Sequence, residues 1–283
     1  MPKTPDPLDF TSPAGMHRRA LEAMARPWRA IARPKCFGLD NIPTRSPVLF
    51  VGNHTVYGVT DAPLMVLELY RLRGVFPRIL GDHFHFEVPL WREFLTWGGV
   101  VDGTRENCGR LMDAQQAILV FPGGGRETLK RKGEKYRLIW KERLGFCRMA
   151  MRHGYSIIPF GAVGAEDLWD IVADANDFLA TPLGAIYRSL GFNEDYLAPI
   201  SKGLGPTLIP RPERLYFGFG RPIATRKLKT LAEDPQACAA LRDRVRDAVS
   251  QQVEFLLCER DQDPHRYPAV IRALGLEPKP GKP

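Results

Sequence analysis

Four short runs along the chain are almost wholly apolar: PVLFVG at 47–52, AILVFP at 117–122, YSIIPFGAV at 155–163 and RLYFGFG at 214–220. Strands that alternate polar and apolar residues bury one face, whereas runs like these bury both. Stretches that read as helices occupy 61–73, 87–97, 106–115, 137–152 and 235–259. The interleaving predicts an α/β fold with a mixed, mostly parallel central sheet and helices on both faces. In such sheets ligands collect at the carboxyl ends of the strands. Three of the four runs end in chemically loaded sequence: VGNH, FPGGGRE and FGAVGAED.

The flanks follow a different pattern. Residues 1–13 are proline-rich, and the tail LEPKPGKP is polar. From Ala14 to Ala32, Met16, Ala20, Leu21, Met24, Trp28 and Ile31 recur at helical spacing among Arg18, Arg19, Arg26, Arg29 and Arg33. This is a basic amphipathic helix, which Pro27 is expected to kink or split. It suits either an anchor lying in a membrane interface or a surface helix packed on the domain. The chain thus divides into a proline-rich lead with a basic N-terminal segment, 1–34, and one large domain, 35–283. Within the domain, 164–212 reads as an insertion of helical pieces and loops. In the last helix, 235–259, Val245, Val249, Val253, Leu256 and Leu257 form an apolar docking face.

Composition narrows the class. At 283 residues the chain can bury one large core. With 44% hydrophobic and 25% charged residues, disorder is not the default. Forty Lys and Arg against 32 Asp and Glu give a formal charge of +8, which favours anionic partners. Acids interleave with the bases of the final helix, so a lipid surface is expected and nucleic acid is not. Five scattered cysteines without a Cys-x-x-Cys suggest neither a disulfide framework nor a zinc site. No secretory h-region and no run of about 18 apolar residues occurs, so neither a signal peptide nor a transmembrane helix is expected. The expected location is peripheral, on the cytoplasmic face of a membrane carrying anionic lipid.

The chemistry concentrates in two loops. In VGNHTVYGVTD, His54 follows a buried strand and Asp61 stands at the start of a helix containing Pro63. A neutral imidazole is suited to taking a proton near neutral pH, and a carboxylate on its other nitrogen would orient it. Asp61 fits that task or an ordinary N-cap. In FPGGGRE, Gly123, Gly124 and Gly125 permit positive φ and close approach of a ligand to backbone N–H groups. Arg126 offers a planar fork for phosphate or carboxylate. Arg105, in WGGVVDGTREN, could face the same site. A third stretch, GDHFHFE, would place His83, His85 and Glu87 on one face if extended, a spacing metal ligands can use.

Taken in order, Asn-His…Asp, Gly…Arg, Phe-Pro-x-Gly-x-Arg and an Ile-Pro strand resemble the glycerolipid (lysophospholipid) acyltransferase family. The resemblance runs from about Val48 to Gly161, and YFGFGRPI at 216–223 resembles a later strand. The branch it looks most like carries Phe-Pro-Gly-Gly-x-Arg-Glu, shared with membrane-associated mono- and diacylglycerol acyltransferases. The resemblance implies His54 as general base with Asp61 as its partner. It implies substrate binding by Asn53, Arg105, Phe121, Pro122, Gly123, Gly124, Gly125, Arg126 and Glu127. The implied reaction moves a fatty acyl group from acyl-CoA or acyl carrier protein to a glycerolipid hydroxyl. It needs no acyl-enzyme, no metal and no cofactor beyond the co-substrate. Two departures stand out. Six residues separate His54 from Asp61 where the family usually has four, and Gly123 stands where glutamate is commoner, which favours a neutral lipid alcohol as acceptor. The rival readings are a metal-dependent hydrolase using His83 and His85 and a non-catalytic basic membrane-binding module.

Overall fold

The computed structural model describes residues 14–43 and 47–273. Helix α1 (Ala14–Ala32) leads into β1 (Lys35–Phe37) and β2 (Val48–Gly52). Then come α2 (Ala62–Arg73), β3 (Arg78–Gly81), α3 (Phe84–Glu87), α4 (Trp91–Trp97), β4 (Val100–Asp102), α5 (Arg105–Asp113) and β5 (Ile118–Val120). Helices α6 (Gly124–Thr128) and α7 (Gly145–His153) precede β6 (Ser156–Val163) and β7 (Asp170–Ala173). The chain continues through α8 (Ala175–Leu179), α9 (Pro182–Ser189), β8 (Ile200–Lys202), β9 (Tyr216–Phe219) and α10 (Pro235–Asp261).

Seven strands form the central sheet in the order β1-β9-β6-β2-β5-β3-β4. The run β6-β2-β5-β3-β4 is parallel throughout, while β9 pairs antiparallel to β6 and parallel to β1. This is the mixed, mostly parallel sheet that the apolar runs predict. Alternation within β2 divides the core: Leu49 and Val51 pack with residues of α5, α7 and α10, whereas Val48 and Phe50 pack with those of α2. Helix α10 is capped by Asp234, whose side chain accepts from the Gln236 N–H, and it buries Cys238, Leu241, Val245, Val249, Val253 and Leu256 at spacings of three and four.

Several expectations need correction. Helix α1 runs unbroken through Pro27. It packs on the domain: Trp28 Nε1 donates to the Thr60 carbonyl at 2.8 Å, and Arg29 pairs with the buried Glu68 at 2.5 Å. The proline-rich lead and the polar tail lie outside the described residues. The short strands β1, β3 and β4 went unseen because three or four residues carry too little pattern to separate from loop. GDHFHFE is not extended, since Phe84–Glu87 is one helical turn. The excursion 164–212 contains the expected helical pieces and also a second sheet, the antiparallel pair β7-β8.

Candidate active site

The five parallel strands present their carboxyl ends along one edge. There β2 delivers Asn53 and His54, β5 delivers Phe121 to Gly124, and β6 delivers Glu166. Strand β3 ends at Asp82 and His83, and β4 ends at the loop leading to Arg105.

Asn53 does not face a ligand, as the resemblance implied. It is fully buried, donates to the Ala162 carbonyl at 2.9 Å and accepts from the Ala162 N–H at 2.7 Å. It therefore clamps β2 to β6 just where His54 leaves the sheet. The His54 ring stacks on Phe121, with centroids 3.9 Å apart and planes 13° from parallel. Gly58, at φ +63°, lies against the Cε1 edge of the ring, and a β-carbon there would stand 2.8 Å from Nδ1 and still closer to Cε1. Nδ1 is buried without a hydrogen-bond partner. Burial lowers the His54 pKa to about 3, helped by the Lys130 ammonium and by His85. The imidazole is therefore neutral across the physiological range.

Asp61 caps α2 in position but makes no hydrogen bond to His54 in this structure. It is buried with Oδ1 unpartnered, and burial raises its pKa against the pull of the Thr55 hydroxyl and the Ala62 N–H. The six intervening residues bow outward through Tyr57 and Gly58, both at φ +63°. The glycine turn is also less open than three glycines suggest. Only Gly124 takes positive φ, +52°, and its N–H donates to the Phe121 carbonyl at 3.0 Å.

Two ionisable residues of the turn face into the protein. Arg126 donates to Glu134 at 2.6 Å and lies 3.8 Å from Asp195, so its fork is already occupied. Glu127 is fully buried and cannot touch a ligand as expected. Beneath them Lys130 and Glu166 form an ion pair at 2.5 Å with both side chains fully buried. Lys130 opens the charged run KRKGEK. A lysine this close to a catalytic motif gives no sequence signal of burial.

Phe121, but not His54, also lines a cavity of about 640 Å³. Leu49, Leu80, Val120, Phe146 and Met149 form its apolar lining, and Arg105, Arg143, His83 and Glu142 supply charge. Arg105 is exposed and has neither a hydrogen bond nor an ion pair with another described residue, as a ligand-binding arginine requires. Arg143 was missed by sequence reasoning; its Nη1 donates to the Pro122 carbonyl at 3.3 Å and crowds Gly124. His83 pairs with Asp102 at 2.9 Å, while His85 accepts from Trp91 Nε1 at 3.3 Å. They do not converge as ligands, and among the described residues no group of three or more His, Cys, Asp or Glu could hold a metal ion.

Comparison with known proteins places this edge in context. The profile of the diacylglycerol acyltransferase family matches residues 43–233. The chain belongs to the diacylglycerol acyltransferase family. Phytyl ester synthase 1 of Arabidopsis thaliana chloroplasts is 31% identical over 245 residues, covering 81% of this chain and 35% of the relative. The chain thus spans about a third of that protein's length. A Bos taurus enzyme named for synthesizing storage lipids independently of two other diacylglycerol acyltransferases is 29% identical over 122 residues, 43% of this chain and 36% of the relative. In fold, the 1-acyl-sn-glycerophosphate (LPA) acyltransferase PlsC from Thermotoga maritima superposes with a TM-score of 0.50 at 14% identity. It covers 84% of this chain and 81% of its own. The core therefore shares the fold of that neighbour. His54, Phe121 and the glycine turn all fall within the matched family region.

Proposed function

We propose that this chain is an O-acyltransferase moving a fatty acyl group from a thioester, acyl-CoA or acyl carrier protein, to the hydroxyl of a lipid alcohol at a membrane surface. The observation that carries this reading is the neutral His54 imidazole held flat on Phe121, beside the glycine turn and an amphipathic cavity. The cavity's apolar lining suits an acyl chain, and Arg105 and Arg143 suit the phosphates of the donor.

In this mechanism His54 Nε2 removes the hydroxyl proton as the alcohol oxygen attacks the thioester carbonyl carbon. The carbonyl electron pair moves onto oxygen, and the N–H groups of Gly123 and Gly125 stabilise it, the Gly124 N–H being spent on the Phe121 carbonyl. When the tetrahedral intermediate collapses, the C–S bond breaks and the thiolate takes the proton from Nε2. The surroundings that hold the pKa near 3 make the imidazolium short-lived, which favours that return. No serine or cysteine nucleophile is required, because the donor is already activated.

The acceptor this site suits is a neutral lipid alcohol. Arg126 is tied to Glu134, so it is not available to grip an acceptor phosphate. A long-chain isoprenoid alcohol, suggested by the phytyl ester synthase likeness, belongs beside diacylglycerol in the test panel. Membrane contact is supported by the excursion after β6. On α9 and just beyond it, Leu183, Ile186 and Leu190 point one apolar face outward, and Leu208 and Ile209 are exposed later in the same excursion. Among the described residues no helix is long and apolar enough to cross a membrane. Mass spectrometry of products formed from acyl-CoA and a panel of lyso-, neutral and isoprenoid lipid alcohols tests the proposal. Ester formation that vanishes in His54→Ala is expected, and turnover retained by that variant would overturn the mechanism.

A further inference from the structure

The loop that carries His54 is joined to the segment after β5 at two points. The Phe121 ring stacks on the imidazole, and the Thr128 carbonyl accepts from the Tyr57 N–H at 2.9 Å. Between these two contacts in the chain stands Glu127, whose carboxyl group is turned toward the backbone N–H groups of His54 and Ile139 without a formed hydrogen bond to either. Glu127 is fully buried, and neither of its carboxyl oxygens has a hydrogen-bond partner. It is not needed as a counterion, because the nearby Lys130 is already paired with Glu166. A buried carboxyl group left without partners is costly and calls for an explanation.

Gly123 supplies the second observation. A β-carbon at 123 would fall within the van der Waals radii of Glu127 Cβ and Oε2. The Glu127 side chain therefore folds back under the turn and fills the volume that any side chain at 123 would need. The glycine is there to admit the carboxyl group.

The geometry points to Glu127 as the positioning residue that fixes the His54 loop against the glycine turn, setting the base in register with the oxyanion site. This rests on reading His54 as the base. Burial pushes the Glu127 carboxyl up to about 8, opposed by Lys130 and assisted by Glu166, so it is protonated at neutral pH. Glutamine is then its close mimic, whereas alanine removes it.

The test is side-chain nitrogen NMR of the histidines in the full chain, with the His54 signals assigned by their loss in His54→Gln. Glu127→Ala and Gly123→Ala should both displace the His54 resonances, and Glu127→Gln should hold them near their wild-type positions at pH 7. Gly123→Ala makes the same test without altering position 127 if Glu127→Ala fails to fold. In turnover, the two alanine variants should lose roughly 100-fold in kcat, as a misplaced base does, with KM for both substrates nearly unchanged. His54 resonances unmoved in the folded alanine variants overturn the inference, as does failure of glutamine to preserve them. Displaced resonances in a protein that acylates no acceptor support the positioning and overturn the reading of the reaction instead.

Discussion

The hydroxyl of Tyr57 lies 2.8 Å from Ser201 Oγ and 3.0 Å from the Pro199 carbonyl it donates to, which ties the His54 loop to the excursion carrying the exposed apolar residues. Tyr57 holds a left-handed backbone at φ +63°, strained for a residue with a side chain, and is followed by Gly58 at the same angle. The clamp at its ring end helps hold that conformation. Tyr57→Phe leaves the buried Ser201 short of a partner and should cost about 1 kcal/mol in denaturant unfolding. Hydrogen exchange should quicken across 54–61. Unchanged exchange there would show that the loop holds itself.

Gly58 sets the place of the imidazole at its Cε1 edge as Phe121 does on its face. A β-carbon at 58 would overlap His54 Cε1, and the backbone there is left-handed, so Gly58→Ala is doubly disfavoured. The ring must swing off Phe121. Activity should fall by roughly 100-fold, the cost of a displaced base, while circular dichroism remains native. Phe121→Ala should act in the same direction through loss of the stack. Full activity in either variant would show that the ring pose in this structure is not the working one.

How far the site could be read in advance follows from what each residue's signal is. His54 and the glycine turn were legible because each ends an all-apolar run, and such runs mark strands buried on both faces. Their adjacency in the sheet, β2 beside β5 and β6, follows from pairing that periodicity does not encode. Lys130 lies in a run of charges, and Arg143 in a stretch that the pattern reads as helix although the helix begins only at Gly145, so only the fold brings them to the site. Arg126 and Asn53 were legible as functional types, yet their hydrogen bonds are spent inside the protein. A fork that can bind phosphate binds Glu134 equally well, and sequence does not say which partner is nearer.

Arg105 and Arg126 therefore separate into different roles. Arg105→Met and Arg143→Met should raise KM for acyl-CoA about tenfold each at low salt, roughly 1.4 kcal/mol of charge-assisted binding. The effect should shrink as ionic strength screens the contact. Arg126→Met should leave KM nearly unchanged and lower stability, because Glu134 loses its buried partner. Steady-state kinetics at two salt concentrations, with thermal melts, distinguish the two patterns. A large KM effect confined to Arg126 would reverse the assignment.

The Lys130–Glu166 pair is fully buried, and Glu166 also accepts from the Tyr136 N–H at 2.5 Å. Removing one partner strands the other charge, so Lys130→Met should cost about 3–5 kcal/mol. Lys130→Met with Glu166→Gln should recover a substantial part, since no unpaired charge then remains. The coupling is read from urea unfolding of the two single variants and the double. Simple additivity would mean that the ion pair is not the unit that matters.

Stability should depend on pH through the two groups whose pKa values are driven in opposite directions. His54 is depressed from 6.5 to about 3, so its stabilising contribution is complete above 6.5 and is lost as pH falls toward 3. Glu127 is raised from 4.5 to about 8, so its contribution is complete below 4.5 and is lost as pH rises through 8. Between 4.5 and 6.5 the two slopes oppose each other. Above 6.5 Glu127 acts without His54, and from there to pH 8 it should remove about 2 kcal/mol at one proton's slope. Glu127→Gln should flatten that upper limb, while His54→Gln should flatten the limb below pH 4.5. Urea unfolding of the wild type and both variants from pH 4 to 8.5 reads the differences directly. An upper limb that survives intact in Glu127→Gln would assign the loss to another group and would mean that Glu127 is ionised at neutral pH.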